Sequence, residues 1–146
     1  MDSRERLLNM LAEVELTVSR LYEKYAGIFP EHKEFWQGMA AEEQKHASLI
    51  KILSAQNVNE DRLQLELVQS TLAYIKDQLA MASKQAVSLP DALSTASNIE
   101  NSLIEKAFYA AFNADTEEIK RVLREIVNET NQHRSKVQEL LTKKQV

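Results

Sequence analysis

The chain has 146 residues, 44% hydrophobic and 27% charged, with a formal charge of −4 and no cysteine. That length suits one domain with a real core, the acids interspersed among lysines and arginines leave no basic face for a phosphate backbone, so nucleic acid is not an expected partner, and the missing cysteines exclude disulfides, zinc–thiolate sites and cysteine-bound iron–sulfur clusters. Two glycines and two prolines leave little chain for tight turns, so the expected class is all-α.

The opening "MDSRERLLNMLAEVE" holds no apolar run of signal-peptide length, and no stretch approaches a membrane span, so a cytoplasmic protein away from membranes is expected. Asp2 and Glu5 form a D-x-x-E cap, and the first helix is predicted over about residues 2–28, ending before Pro30. Its apolar row is Leu8, Leu11, Val18 and Tyr22, with Glu15 in the middle. A second helix follows over about 31–55, its row reading Trp36, Met39, Glu43, His46, Ile50 and Leu53. The short link between the two makes an antiparallel hairpin.

"QNVNEDR" then ends the hairpin, and a long connection reaches Ser88. The alternation in "LQLELV" suggests an extended run, and "STLAYIKDQLAMASKQA" reads as an extra amphipathic helix over about 70–86. Such a connection suits a crossover along a bundle whose helices, at about 25 residues, are roughly 37 Å long. Ser88, Pro90 and Asp91 cap a third bundle helix over about 89–113, with the row Leu89, Leu93, Ala96, Glu100, Leu103 and Ala107. Asp115 and Glu118 cap the last, over about 116–142, with the row Ile119, Leu123, Ile126, Thr130, His133, Val137 and Leu140. The whole chain, 1–146, is read as one bundle domain.

The two hairpins look like degenerate copies of one unit. Glu15 precedes His46 by 31 residues and Glu100 precedes His133 by 33, while "EEQKH" lies over "ETNQH" at an offset of 87. Pseudo-twofold packing brings these polar interruptions to one level of the bundle. Ionised carboxylates in an apolar interior are costly unless compensated, and a cation compensates several at once. One Glu from each of two helices, with Glu-x-x-His from the other two, is how a helical bundle holds two metal ions, because an i, i+3 spacing puts carboxylate and imidazole on one face.

In these residues the chain resembles the ferritin-like superfamily, and within it the rubrerythrin-like di-iron proteins. The resemblance is carried by "VELTVSRLY", "EEQKHASLIKIL" and "ALSTASNIENSLIEKAFYAAF" and covers nearly the whole chain. It implies a ferritin-like four-helix bundle with a long crossover between its second and third helices, and a di-iron centre that reduces peroxide or oxidises Fe(II). It places Glu15, Glu43, His46, Glu100 and His133 on metal-ligand positions and Tyr22 beside a ligating carboxylate. Iron is the implied metal, with manganese as the other hard-donor choice. Peroxide or O2, an external electron donor and a second copy of the chain in a homodimer are the implied partners.

The chain departs from that pattern in two places. Thr130 stands where the second Glu-x-x-His carboxylate belongs, and the nearest acid, Glu129, is turned about 100° around the helix; Leu103 stands where a further glutamate is often found. No cysteine-bound rubredoxin domain is present in this sequence. Two other readings therefore stay open. One is a module holding a single metal. The other is a metal-free interaction domain whose outer residues Phe108, Tyr109, Phe112, Leu72, Ile75 and Leu79 pair with another chain. Tyr22, Tyr25 and Trp36 are read as core packing.

Overall fold

The computed structural model describes residues 3–53, 62–84, 86–112 and 117–145. Its elements are α1 (Ser3–Ile28), a 3-10 turn (Pro30–His32), α2 (Lys33–Leu53), α3 (Arg62–Lys84), α4 (Leu89–Phe112) and α5 (Glu117–Gln145). No strand occurs among the described residues, and none of their helices is long and apolar enough to cross a membrane.

Pro30 decides the first reversal. Having no N–H, it cannot extend α1, whose last bond runs from Phe29 N to Tyr25 O at 2.8 Å. His32 N then bonds Phe29 O at 2.9 Å, and α2 returns antiparallel to α1. The pairing is fixed by Ser19 Oγ, which donates to Ala40 O at 2.9 Å, and by the contact of Tyr22 with Trp36. The second hairpin is opened by Ser88, whose Oγ accepts from Asp91 N at 3.2 Å and whose carbonyl accepts from Ala92 N at 3.0 Å. Gln138 Nε2 donates to Ser97 Oγ at 2.7 Å across α5 and α4. The described contacts between the two hairpins run chiefly from α2 to α5, and α3 lies along α1 and touches α4.

This arrangement explains why α1 is buried on more than one face. Val14, Val18, Leu21, Tyr22 and Tyr25 are all closed off from solvent, because α2 covers one side and α3 another. α5, by contrast, buries a single narrow row of Ile126, Thr130, His133 and Val137, the seam of a helix that faces the bundle on one side only. Each large core side chain, Trp36 and Ile75 among them, contributes about 1.5–3 kcal/mol by leaving water.

The connection differs from the sequence expectation. α3 begins at Arg62 rather than near residue 70, and "LQLELV" is helical, not extended. Six alternating residues cannot be told from one stripe of a helix, and leucine, glutamine and glutamate all favour helix where no neighbouring strand offers a ladder. Nor is the face of α3 free: Leu72 and Ile75 are core residues and Leu79 packs against them. The caps expected at Asp2 and at Asp115–Glu118, and the side chains of Leu103, Phe108, Tyr109 and Phe112, lie outside the described residues.

Candidate metal centre

Halfway along the bundle the apolar rows give way to a closed set of polar side chains. Glu15 comes from α1, Glu43 and His46 from α2, Glu100 from α4, and Thr130 and His133 from α5; all six are buried, with Glu43, His46, Glu100 and Thr130 at 0% exposure. Each sits on the inward row of its helix, so the periodicity that builds the core also delivers these groups to its centre.

The groups form two sets that share one member. Glu15, Glu43 and His46 can each offer a ligand atom within 4.8 Å of the others, and so can Glu43, Glu100 and His133. In the first, His46 Nδ1 lies 3.6 Å from Glu43 Oε2 and 3.9 Å from Glu15 Oε2. In the second, His133 Nδ1 lies 3.2 Å from Glu43 Oε1 and 3.6 Å from Glu100 Oε1. The two imidazoles stack across the centre with centroids 6.0 Å apart. Glu43 thus turns one oxygen toward each histidine, the arrangement of a carboxylate that bridges.

Each set is held by an outside partner. Tyr22 donates its hydroxyl to Glu100 Oε1 at 2.7 Å, which fixes that carboxylate and leaves its buried Oε2 without a partner among the described residues. On the other side, Glu129 Oε2 lies 2.5 Å from His46 Nε2, and Lys45 Nζ donates to Glu129 Oε1 at 2.7 Å. An Nε2–H donated to Glu129 leaves the Nδ1 lone pair directed at Glu15 and Glu43. Glu129 therefore meets the far nitrogen of His46, as its rotation around α5 requires. There, with Glu42, it also completes a third, half-buried group that can hold a cation. Neither Lys45 nor Glu42 stands out in the sequence, since both lie off the inward rows and only the packing of α2 on α5 brings them in.

Burial drives the electrostatics. Burial, then the charges of Glu43 and Glu100, pushes the Glu15 carboxyl well above its usual range. Glu100 is pushed up to about 7 by burial and by Glu43, against the opposing pull of His133 and Tyr22. For Glu43 burial acts upward too, but its contacts with Glu15, His133 and His46 outweigh that and hold it below the usual range. His133 is raised to about 10: burial opposes its charge, and Glu100 and Glu43 more than restore it. His46 is also raised, by Glu43 and Glu129 against burial. Without metal, protons serve as the counter-charge.

That proton network leaves gaps a cation fits. Glu15 Oε2, Glu43 Oε2, Glu100 Oε2 and His46 Nδ1 are buried with no hydrogen-bond partner among the described residues, although native interiors pair nearly all such atoms. All four belong to the two sets. A family model described as rubrerythrin matches residues 7–141. The chain belongs to the rubrerythrin family. No curated protein and no solved structure matches it.

For a rubrerythrin-family chain the donor set is chemically apt: carboxylate oxygens with one imidazole nitrogen per set suit iron or manganese. Thr130 marks the departure. It is fully buried, its Oγ1 has no partner among the described residues, and it supplies no charge where the corresponding residue of α2, Glu43, turns an oxygen toward each histidine. The three inner carboxylates thus fall one charge short of two divalent ions.

Proposed function

We propose that this chain is a non-haem di-iron oxidoreductase that reduces peroxide or oxidises Fe(II) with O2. The carrying observation is the pair of buried ligand sets that share Glu43. Glu15 and His46 would hold one metal, Glu100 and His133 the other, and Glu43 would bridge them. When bound, such a pair supplies two-electron redox chemistry within one closed site.

The protein's own groups do the rest. Apolar walls from α1, α2 and α4 exclude bulk water and strengthen every interaction inside. Tyr22 holds Glu100, and Glu129 holds His46, so ligand geometry is set before metal arrives. His133 carries a proton on the Glu43 and Glu100 side of the centre in the metal-free state, and it must yield that proton to become a ligand. A cavity of about 190 Å³ between α2 and α5, lined by Glu34, Gly38, Glu42, His133 and Lys136, would serve as the way in for a cation or a small oxidant.

The test is iron content per chain after anaerobic Fe(II) loading and desalting, for wild type and His46→Ala, followed by peroxide and O2 consumption. About two irons in wild type and fewer in the variant are expected; full loading with no consumption of either oxidant would remove the enzymatic reading. A second reading, a module holding one metal, is favoured by Thr130. If wild type binds one iron and Thr130→Glu binds a second, that reading is right, and two irons already in wild type would dismiss it.

A further inference from the structure

The aromatic residues beside the centre form a chain that leaves it. Tyr22 bonds Glu100 at 2.7 Å. The Tyr22 ring lies 5.5 Å from that of Trp36, and Trp36 lies 4.9 Å from Tyr25, edge to face. Tyr25 in turn lines a cavity of about 390 Å³ between α1, α3 and α4, together with Tyr74, Gln78, Met81, Thr95 and Asn98. Three oxidisable rings in successive contact thus join a closed carboxylate centre to an open pocket, with no saturated segment between one ring and the next.

Packing accounts for a large ring at the middle position but not for its polar edge. Trp36 is fully buried and its indole N–H has no acceptor among the described residues. A phenyl ring would strand no donor there, although it is smaller than indole and would leave a cavity. Indole differs from phenyl in that it gives up an electron readily.

We propose that Tyr22, Trp36 and Tyr25 relay electrons to the carboxylate centre from a neutral hydroquinone-class reductant bound in the pocket between α1, α3 and α4. The pocket suits such a donor. Its volume is at the lower end of the small-ligand range, two tyrosine rings and Met81 offer apolar contact, and the side chains of Gln78, Thr95 and Asn98 can bond phenolic O–H groups. Asp91, the one charged residue on its lining, disfavours an anionic donor.

The proposal rests on the oxidoreductase reading and gives it its missing electron source. Each pass moves one electron. Tyr22 loses an electron toward the peroxide reduced at the centre while its hydroxyl proton shifts to Glu100 Oε1, and both are restored as Trp36 refills it. Tyr25, on the pocket lining, refills Trp36 and releases its hydroxyl proton to water in the pocket; the reductant then restores Tyr25 by giving it one electron and one phenolic proton, and the peroxide takes up its two protons from water. Over two passes one hydroquinone gives up two electrons and two protons and becomes a quinone, while one peroxide O–O bond breaks and two waters form.

Two experiments decide it. In the metal-free protein, a photosensitised one-electron oxidant too bulky for the core is applied and the radical is located by electron paramagnetic resonance, with Tyr22→Phe used to assign the Tyr22 signal. The Tyr22 radical is expected in wild type and in a Phe35→Leu control, and at about a tenth of that yield in Trp36→Phe and in Tyr25→Phe. Equal yields in all variants overturn the relay, whether or not the protein uses iron. In the iron-loaded protein, hydroquinone-driven peroxide consumption should fall about tenfold in the same two variants at unchanged iron content. Tyr25→Phe keeps the ring and its packing, so it reports even if Trp36→Phe folds poorly. A wild type that takes up no iron defeats the oxidoreductase reading, while the metal-free arm still judges the relay.

Discussion

The two halves of the centre have the same donor types, carboxylate and imidazole, and opposite supports. The Glu15–His46 half is held from the surface: Glu129 grips the far nitrogen of His46 and is itself gripped by Lys45, which is half exposed. The Glu100–His133 half is held from the core, by Tyr22 on Glu100. The contrast follows from one lapse in the repeat. α2 places Glu43 on its inward row; α5 places Thr130 there, and its Glu129, at the position Glu42 holds in α2, serves the opposite half. The inward row of α5 thus offers no glutamate, the acid beside it braces the other half from outside, and Glu43 is the carboxylate common to both sets.

The largest effect should therefore come from Glu43. Glu43→Ala removes the ligand common to both sets, and iron content should fall to the background of an unloaded control. The metal-free protein should also lose about 3–5 kcal/mol, because the raised charge on His133 would lose one of its two carboxylate partners in the interior. Denaturant unfolding without metal checks the second effect independently of the first. Retention of one iron per chain by Glu43→Ala would show that the halves are separate sites and not a bridged pair.

Next come the two halves one at a time. Glu15→Gln and Glu100→Gln should each cost one of two irons and spare the other, which elemental analysis and the absorbance of the oxidised protein can both count. Loss of both irons in either variant would mean that the halves bind cooperatively through Glu43.

The constellation itself is legible in the amino-acid pattern, since Glu15, Glu43, His46, Glu100 and His133 interrupt apolar rows at helical spacing and long helices project such residues inward. Tyr22 is legible for the same reason, one row-step of seven residues beyond Glu15. What the pattern hides depends on how helices meet. The contact of Glu129 with His46 spans 83 residues, and nothing within α2 or α5 alone encodes it. The helical state of "LQLELV" is masked by its brevity, and the closeness of Trp36 to both tyrosines depends on a hairpin register that Pro30 and the 3-10 turn set.

Acidity sharpens the comparison further. In the metal-free protein Glu100 sits at about 7, above its ordinary 4.5, so the folded state loses stability as pH rises from the ordinary value through about 7. His133, raised from 6.5 to about 10, contributes stability that is complete below 6.5 and is lost as pH climbs through about 10. Glu43 runs the other way: held low, it contributes above the ordinary carboxylate range and fails only in acid. The first two windows overlap between about 6.5 and 7, where both effects weaken the metal-free protein together. Metal displaces these protons, so iron affinity should rise with pH by about tenfold per unit for each proton still held, the contribution of Glu100 ending near 7 and that of His133 continuing toward 10. Titration calorimetry in two buffers of different ionisation enthalpy counts those protons, and a count of zero would contradict the proton network described for the centre.

The smallest effect belongs to the surface brace. Glu129→Leu removes the group that fixes the His46 ring, and a loss of about tenfold in iron affinity is expected, the lower end for residues that orient a ligand without touching the metal. Glu129→Gln keeps an oxygen able to accept from Nε2–H and should recover most of that loss. Lys45→Gln, acting on an exposed ion pair, should change affinity less than either, and less still as salt is raised. The order Leu, Gln, Lys45→Gln is what a brace acting through ring orientation produces. If Glu129 instead held iron directly, through the half-buried group it forms with Glu42 and His46, Glu129→Gln would fall beside Glu129→Leu and the iron count itself would drop. Binding isotherms for the three variants at two salt concentrations separate these cases, and with them the question of whether the carboxylate beside the inward row of α5 serves as a brace or as a ligand.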